Sequence, residues 1–351
     1  MNYTVFGESH GSAIGVTLTG VPAGLPLDME AVEFDMSRRA TGKNKLSTPR
    51  KEADRIEFLS GIFEGKTTGT PLTLIIRNTD QHSKDYTQLK VLPRPSHADY
   101  SGQVRYRGCN DYRGGGHFSG RLTAPLVAAG AIAKQILAQQ GVFVGAHIAS
   151  VAGIPDAPLD PTQDQREVLQ AVAAKAFPVL CDDAGAQMQQ AILQAREEQD
   201  SVGGTIECMV CGLPAGMGAP DLDENAEGIF ARHLFAVPAV KGVEFGAGFA
   251  LARMRGSQAN DPFYMDGSTV RTRTNHSGGI NGGITNGMPL TFQVAIRPTP
   301  SIAKEQDTVD LTLGENARLS IHGRHDPCIV HRAVPVVEAA AALAACQLMG
   351  L

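Results

Sequence analysis

The sequence predicts an α+β fold made of two similar halves related by a pseudo-twofold axis. Three observations carry that prediction. Gly15-Val-Thr-Leu-Thr-Gly-Val-Pro-Ala-Gly24 and Thr205-Ile-Glu-Cys-Met-Val-Cys-Gly-Leu-Pro-Ala-Gly216 lie about 190 residues apart, and each is an alternating strand ending in a Gly-x-Pro-Ala-Gly turn. Ser60 to Arg77 and Ser277 to Arg297 are both Gly-rich hairpins running into a strand that ends on arginine. Each half then closes with an Ala-rich helix, Leu122–Gln140 and Val334–Leu348. Matching pairs in the same order point to an internal duplication.

Taken in order, the first strand ends in Gly7-Glu8-Ser9-His10-Gly11, a turn that exposes Ser9 and His10. A histidine there can protonate a leaving oxygen near neutral pH. Asp28 caps a helix that runs to Arg39, and a basic loop with Arg38, Arg39, Lys43, Lys45 and Arg50 follows. The segment from Arg94 to Arg121 groups Arg94, Arg105, Arg107, Arg113 and Arg121 with His97 and His117. Its three glycines, Gly114, Gly115 and Gly116, leave room for a backbone to press against a ligand. The helix from Leu122 aims its N-terminal NH groups at the same place. Helix N-termini and arginines both favour anions, which predicts a phosphate or carboxylate site. This helix and its counterpart from Val334 are apolar nearly all round, so both belong between sheets.

Residues 151–200 are Pro-rich and then polar and helical (Asp164–Ala174, Ala184–Gln199), an insertion between halves of about 1–150 and 201–351 within one domain. Beyond it, Leu222-Asp223 leads into a second Asp-capped helix ending near Phe235. Pro238 to Gly248 reads as a strand closely approached by something flat or by another backbone, with Lys241 and Glu244 as its polar contacts. Arg297-Pro-Thr-Pro-Ser301 offers an arginine, two hydroxyls and a fixed turn. Gly323-Arg-His-Asp-Pro-Cys328 brings Arg324, His325 and Asp326 to the start of the last helix, where Asp326 is either an N-cap or a base.

Composition narrows the function. The 351 residues are 42% hydrophobic and carry a net charge of −5, so a basic site must be a local concentration. That argues against nucleic acid as a partner. The longest apolar stretches are too short or interrupted by Lys134 and Glu338, so no membrane partner is expected. The first ten residues lack a basic and then apolar leader, which predicts a cytoplasmic protein. Of the cysteines, Cys208 and Cys211 have CxxC spacing but would face opposite sides of a strand, which favours reduced core thiols over a metal or redox pair. No P-loop, HExxH, EF-hand or Gly-x-Ser-x-Gly motif occurs, so neither ATP nor a metal is indicated. The residues alone describe an anion-binding, phosphate-handling enzyme with histidine and aspartate for proton transfer.

The motifs Phe-Gly-Glu-Ser-His-Gly, Gly-Lys-Thr-Thr-Gly-Thr-Pro, Arg-Asn-x-Asp-Gln, Arg-Pro-x-His-Ala-Asp-Tyr, Asp-Tyr-Arg-Gly-Gly-Gly, Val-Lys-Gly-Val-Glu, Asn-His-x-Gly-Gly-Ile and Gly-Arg-His-Asp-Pro-Cys run in order along essentially the whole chain. In order and spacing they resemble the chorismate synthase family. The resemblance implies two four-stranded antiparallel sheets sandwiching the helices, and usually a homotetramer. It implies a lyase of the shikimate pathway that eliminates phosphate from 5-enolpyruvylshikimate 3-phosphate, giving chorismate, with reduced FMN and no net redox change. NADPH would be a reductant for the flavin.

By motif position, His10 would protonate the departing phosphate and His97 would hold a proton at the flavin N1–C2 carbonyl edge. Asp326 would help deprotonate flavin N5, which then takes the substrate's ring hydrogen. Ser9, Arg39, Lys45, Arg94, Arg121 and Arg324 would bind substrate. Flavin contacts would come from His117, Phe118, Ser119, Pro238, Ala239, Gly282, Arg297, Pro298, Thr299, Pro300, Ser301 and Arg324.

The chain departs from the family's usual Arg-Ser-Ser-Ala-Arg-Glu-Thr at His117, Phe118, Gly120 and Leu122, has Lys45 for an arginine, and has Ser96 for the glycine before His97. These changes predict activity with altered binding strength. The alternative is a flavin- and phosphate-binding relative with weakened catalysis.

Overall fold

A computed structural model describes residues 1–42, 46, 54–78, 88–321 and 326–351. Strands β1 (Asn2–Gly7) and β2 (Ala13–Thr19) open the chain, and α1 (Met29–Arg39) follows with Asp28 accepting a bond from Ala31 N. Then come β3 (Ile56–Ser60), the hairpin β4 (Ile62–Phe63) and β5 (Lys66–Thr67), β6 (Leu72–Arg77), α2 (Asp99–Arg105) and α3 (Thr123–Ala138). The middle of the chain supplies β7 (Phe143–Val151), β8 (Ile154–Pro155), α4 (Arg166–Ala173), α5 (Asp182–Glu197) and β9 (Gly204–Cys211). The rest is α6 (Ala226–Phe235), β10 (Val240–Phe245), the turn α7 (Gly256–Ala259), the ribbons β11 (Phe263–Asp266) with β12 (Thr269–Thr272) and β13 (Ile280–Asn281) with β14 (Ile284–Thr285), β15 (Leu290–Ile296), the ribbon β16 (Gln306–Asp310) with β17 (Glu315–Leu319), and α8 (Val330–Leu348).

One antiparallel sheet runs β1-β2-β6-β3 and the other β10-β15-β9-β7-β8. Two four-stranded sheets were expected, and the second has five strands. The addition is the two-residue β8, which folds back on the end of β7 to pair Ser150 with Pro155. The second Asp cap also moves: Asn225, not Asp223, accepts from Gly228 N at the start of α6. Cys208 and Cys211 do face opposite sides of β9, each in a different apolar cluster. All six cysteines are free, but Cys109 and Cys181 are exposed, so only four are core thiols.

Alternation places Ile14, Val16 and Leu18 of β2 and Leu72, Leu74 and Ile76 of β6 on one fully buried face. Helix α3 packs on that sheet, α8 packs on β7 and β9, and the two helices pack on each other. Both are buried along nearly their whole length, as their all-round apolarity requires. Among the described residues no helix is long and apolar enough to cross a membrane.

The helices meet at Gly130, where an added Cβ would stand 2.2 Å from Ala339 Cβ and 2.3 Å from its Cα. Alanine is the better helix former by about 1 kcal/mol. A backbone carbon cannot rotate aside, however, so the helices must part, and overpacking of that kind costs about 1–3 kcal/mol. Gly130→Ala is therefore expected to lower the thermal unfolding midpoint. A raised midpoint would mean that propensity outweighs the contact.

A buried charge network ties these layers together. Glu338 of α8 accepts both Arg38 Nη1 (2.6 Å) and Nη2 (2.7 Å) from α1, Lys134 Nζ (2.5 Å) from α3, and Ala146 N (3.1 Å) from β7. Asp35 takes a further bond from each of Arg38 and Lys134. Burial pushes the Glu338 carboxyl up, but Arg38 and Lys134 hold it below the ordinary carboxylate range. With two acids and two bases, the network is formally neutral.

His331, one residue into α8, is the opposite case. It is buried, and among the described residues neither ring nitrogen has a hydrogen-bond partner. Burial, aided by Arg332, lowers its pKa to about 4. Between pH 6.5 and 4 the unfolded chain therefore binds a proton that the folded chain refuses, and stability falls as pH falls through that window. At pH 5 the loss is about 2 kcal/mol. His331→Leu is expected to flatten the acid side of a urea-midpoint profile between pH 7.5 and 5. A variant that keeps the wild-type slope would place the acid sensitivity elsewhere.

Candidate active site

The triple glycine is the local key. Gly114, Gly115 and Gly116 all take positive φ (58°, 85° and 54°), a region that side chains rarely adopt. A Cβ on Gly114 would stand 2.2 Å from the His10 ring, one on Gly115 3.2 Å from His97, and one on Gly116 2.1 Å from the Asp111 carbonyl oxygen. The sequence suggested that these glycines admit a ligand. The structure adds that they first admit two histidine rings and a carbonyl, and only Gly114 also borders the cavity.

That cavity, about 280 Å³, is walled by the C-terminal end of α1, the start of α3, the Pro238–Ala239 turn, the Arg297–Ser301 segment and the start of α8. Among the described residues, five arginines line it: Arg39, Arg94, Arg121, Arg297 and Arg332. Carboxylates behind them fix their positions. Asp54 takes Arg39 Nη1 at 2.9 Å and also accepts Arg121 Nη1. Arg39 further donates to Thr123 Oγ1 and the Gly120 carbonyl, and Arg121 to Asn78 Oδ1. Asp99 takes Arg94 as a fork, Nε at 2.7 Å and Nη2 at 2.8 Å, while Arg94 Nη1 reaches Ser301 Oγ. Asp326 takes Arg332 Nη1 at 2.6 Å. Among the described residues Arg297 has no carboxylate partner, and burial lowers its pKa. Among the described residues, five guanidinium groups face three carboxylates, a formal surplus of two positive charges.

His97 lies in the same wall, its Nδ1 2.6 Å from Asp99 Oδ1 and 3.1 Å from Arg94 Nη2. Burial lowers its pKa; the bond to Asp99 opposes this, and Arg94 adds to it. The ring is neutral at neutral pH. Asp99 is the strongest acceptor in reach, so Nδ1 carries the proton and Nε2 keeps its lone pair. Burial alone would raise the Asp99 carboxyl, but Arg94 and His97 hold it well below the usual range.

The predicted residues divide clearly. His97, Asp326, Arg39, Arg94, Arg121, Phe118, Ser119, Pro238, Ala239, Arg297, Thr299, Pro300 and Ser301 all line the cavity. Ser9 and His10 sit one layer back, buried behind Gly114, with Ser9 Oγ 3.1 Å from His10 Nδ1. His117 is exposed and reaches the Gly7 carbonyl, Pro298 is exposed, and Gly282 turns an exposed hairpin; none of the three borders the cavity. Arg105 and Arg107 are exposed and Arg113 pairs with Asp111, so the five-arginine cluster of that segment contributes only Arg94 and Arg121. Arg38 leaves the basic loop for Glu338. Lys241 is exposed, and Glu244 accepts Phe249 N instead of facing the cavity. Asp326 is not a helix cap, because α8 begins after Ile329. Lys43, Lys45, Arg50, Arg324 and His325 lie outside the described residues.

Sequence reasoning missed Arg332, Thr41, Asp54 and Asp99. Asp99 had a signal in its spacing from Arg94 and His97, and Arg332 in standing one turn into a helix already suspected of reaching the site.

The chain matches the family model described as chorismate synthase over residues 1–349. It is 48% identical to the chorismate synthase of Dehalococcoides mccartyi over 338 residues, 96% of this chain and 91% of that one. It is 46% identical to that of Thermococcus gammatolerans, covering 97% and 93%. A crystal structure of a chorismate synthase superposes with a TM-score of 0.75 at 28% identity, covering 99% of this chain and 91% of the other.

Proposed function

The chain belongs to the chorismate synthase family, and on that premise we propose that its arginine-lined cavity binds 5-enolpyruvylshikimate 3-phosphate and converts it to chorismate by eliminating phosphate. The observation that carries this reading is the cationic surplus among the described residues that line the cavity. The substrate brings two carboxylates and a phosphate, and desolvating that charge requires fixed guanidinium groups. Asp54 and Asp99 stop those groups from collapsing onto one another or swinging away, which is the preorganisation that electrostatic catalysis demands.

The family works with reduced FMN, and the cavity residues fit such a group. Among the described residues, Thr299 Oγ1 is buried without a partner and Arg297 has no carboxylate. Ala239 holds φ at 73° while its carbonyl accepts Arg297 N, a strained turn at the cavity edge. Arg297, Thr299, Pro238, Ala239, Phe118 and Ser119 would hold the flavin, which supplies transient electron donation that expels phosphate. His97, anchored by Asp99, offers or accepts a proton at Nε2. Asp326, held by Arg332, provides the carboxylate base. His10, one layer behind Gly114, is the proton source for the departing phosphate.

The reading extends to one domain of two pseudo-twofold-related halves, two sheets with helices sandwiched between them. It is supported by the shared strand orders β1-β2-β6-β3 and β7-β9-β15-β10. It also includes a cytoplasmic homotetramer that draws reducing equivalents from NADPH.

The deciding experiment is anaerobic. Dithionite-reduced FMN and substrate are added to the protein, and chorismate and phosphate are followed together. Equal release, absent with oxidised FMN, is expected. Flavin binding without product would reject the activity.

A further inference from the structure

We infer that Arg332 and Thr41 form an additional binding corner of the cavity, one that holds a carboxylate of the substrate; the inference rests on the function proposed above. Both residues line the cavity. A guanidinium has five N–H donors, and Arg332 commits two of them: Nε to the Arg39 carbonyl at 2.9 Å and Nη1 to Asp326 at 2.6 Å. Its other donors have no acceptor among the described residues, although the side chain is only 13% exposed.

Thr41 stands two residues beyond the carbonyl that Arg332 grips. Its hydroxyl is buried with no partner among the described residues. Of the other cavity hydroxyls, Thr123 donates to Gly120 O and Ser301 accepts from Arg94, while Thr299 is assigned above to the flavin. Unused donors from a guanidinium and a hydroxyl at one corner suit a two-oxygen acceptor. Asp326 next to Arg332 repels a dianion more than a monoanion, which favours a carboxylate over the phosphate.

The test measures substrate binding by calorimetry with oxidised FMN, where no turnover occurs. Thr41→Val keeps shape and removes the hydroxyl; Arg332→Lys keeps charge and removes the fork. Substrate affinity is expected to fall about 3–10-fold in Thr41→Val and about 10–100-fold in Arg332→Lys, with little further loss in the double variant. The thermal midpoint of Thr41→Val should stay unchanged. Shikimate 3-phosphate, which lacks the enolpyruvyl group, identifies the carboxylate. Loss for both ligands assigns the ring carboxylate, and loss for the full substrate alone assigns the enolpyruvyl one.

Wild-type affinity in Thr41→Val, or an equal loss for inorganic phosphate, would overturn the assignment. Wild-type protein that binds no substrate would overturn the proposed function, and this inference with it.

Discussion

Replacing Glu338 by alanine is expected to destabilise the protein by about 3–5 kcal/mol, the range for removing one partner of a buried ion pair. The carboxylate answers two cations and a backbone NH, so its loss leaves Arg38 and Lys134 sharing Asp35 and orphans Ala146 N. Glu338→Gln keeps an acceptor for Ala146 but not the charge, and should fall between. The damage should also reach the cavity, because Arg38 immediately precedes Arg39 at the end of α1. The measurement is the urea midpoint of both variants, with soluble yield as a coarse check. An alanine variant as stable as wild type would mean that water enters and solvates the two cations.

His97→Ala and Asp326→Ala are each expected to lose about 10²–10⁴-fold in turnover, the usual contribution of a positioned proton-transfer group. FMN and substrate binding should largely survive, because Arg94 stays forked on Asp99 and Arg39 and Arg121 stay on Asp54; only Arg332 loses its carboxylate, and only in Asp326→Ala. Single-turnover rates with pre-reduced FMN, alongside binding constants, separate chemistry from affinity. Near-normal rates in both variants would defeat these roles. Loss of binding in parallel with rate would instead mark them as structural.

Much of this architecture was legible where a local rule has no competitor. Asp28 is a cap because its carboxylate reaches Ala31 N, and α3 and α8 are buried because they offer no polar face. The triple glycine was read as room for a ligand, and its immediate partners are two histidine rings and the Asp111 carbonyl. Arg105, Arg107 and Arg113 were misplaced for a physical reason. Neighbours in sequence diverge around a helix and the turn after it, and α2 leaves Arg105 at the surface. Asp54 lies in none of the quoted motifs, and Asp99, although inside Arg-Pro-x-His-Ala-Asp-Tyr, was given no role because it splints an arginine instead of lining the cavity. Ser96 carries φ of 59°. This chain therefore holds His97 on a strained turn, at a position where the resemblance led glycine to be expected.

The arginine wall also bears on how the enzyme is handled and regulated. A site with surplus cations does not discriminate perfectly among anions, and one of its own products is inorganic phosphate. Released phosphate remains a competitor for the arginines it has just left, so flux through this step is sensitive to the anion content of its surroundings. Sulfate or phosphate in a purification buffer is therefore expected to weaken the activity of the protein it is meant to preserve, as a rate series in chloride, sulfate and phosphate at one ionic strength would show.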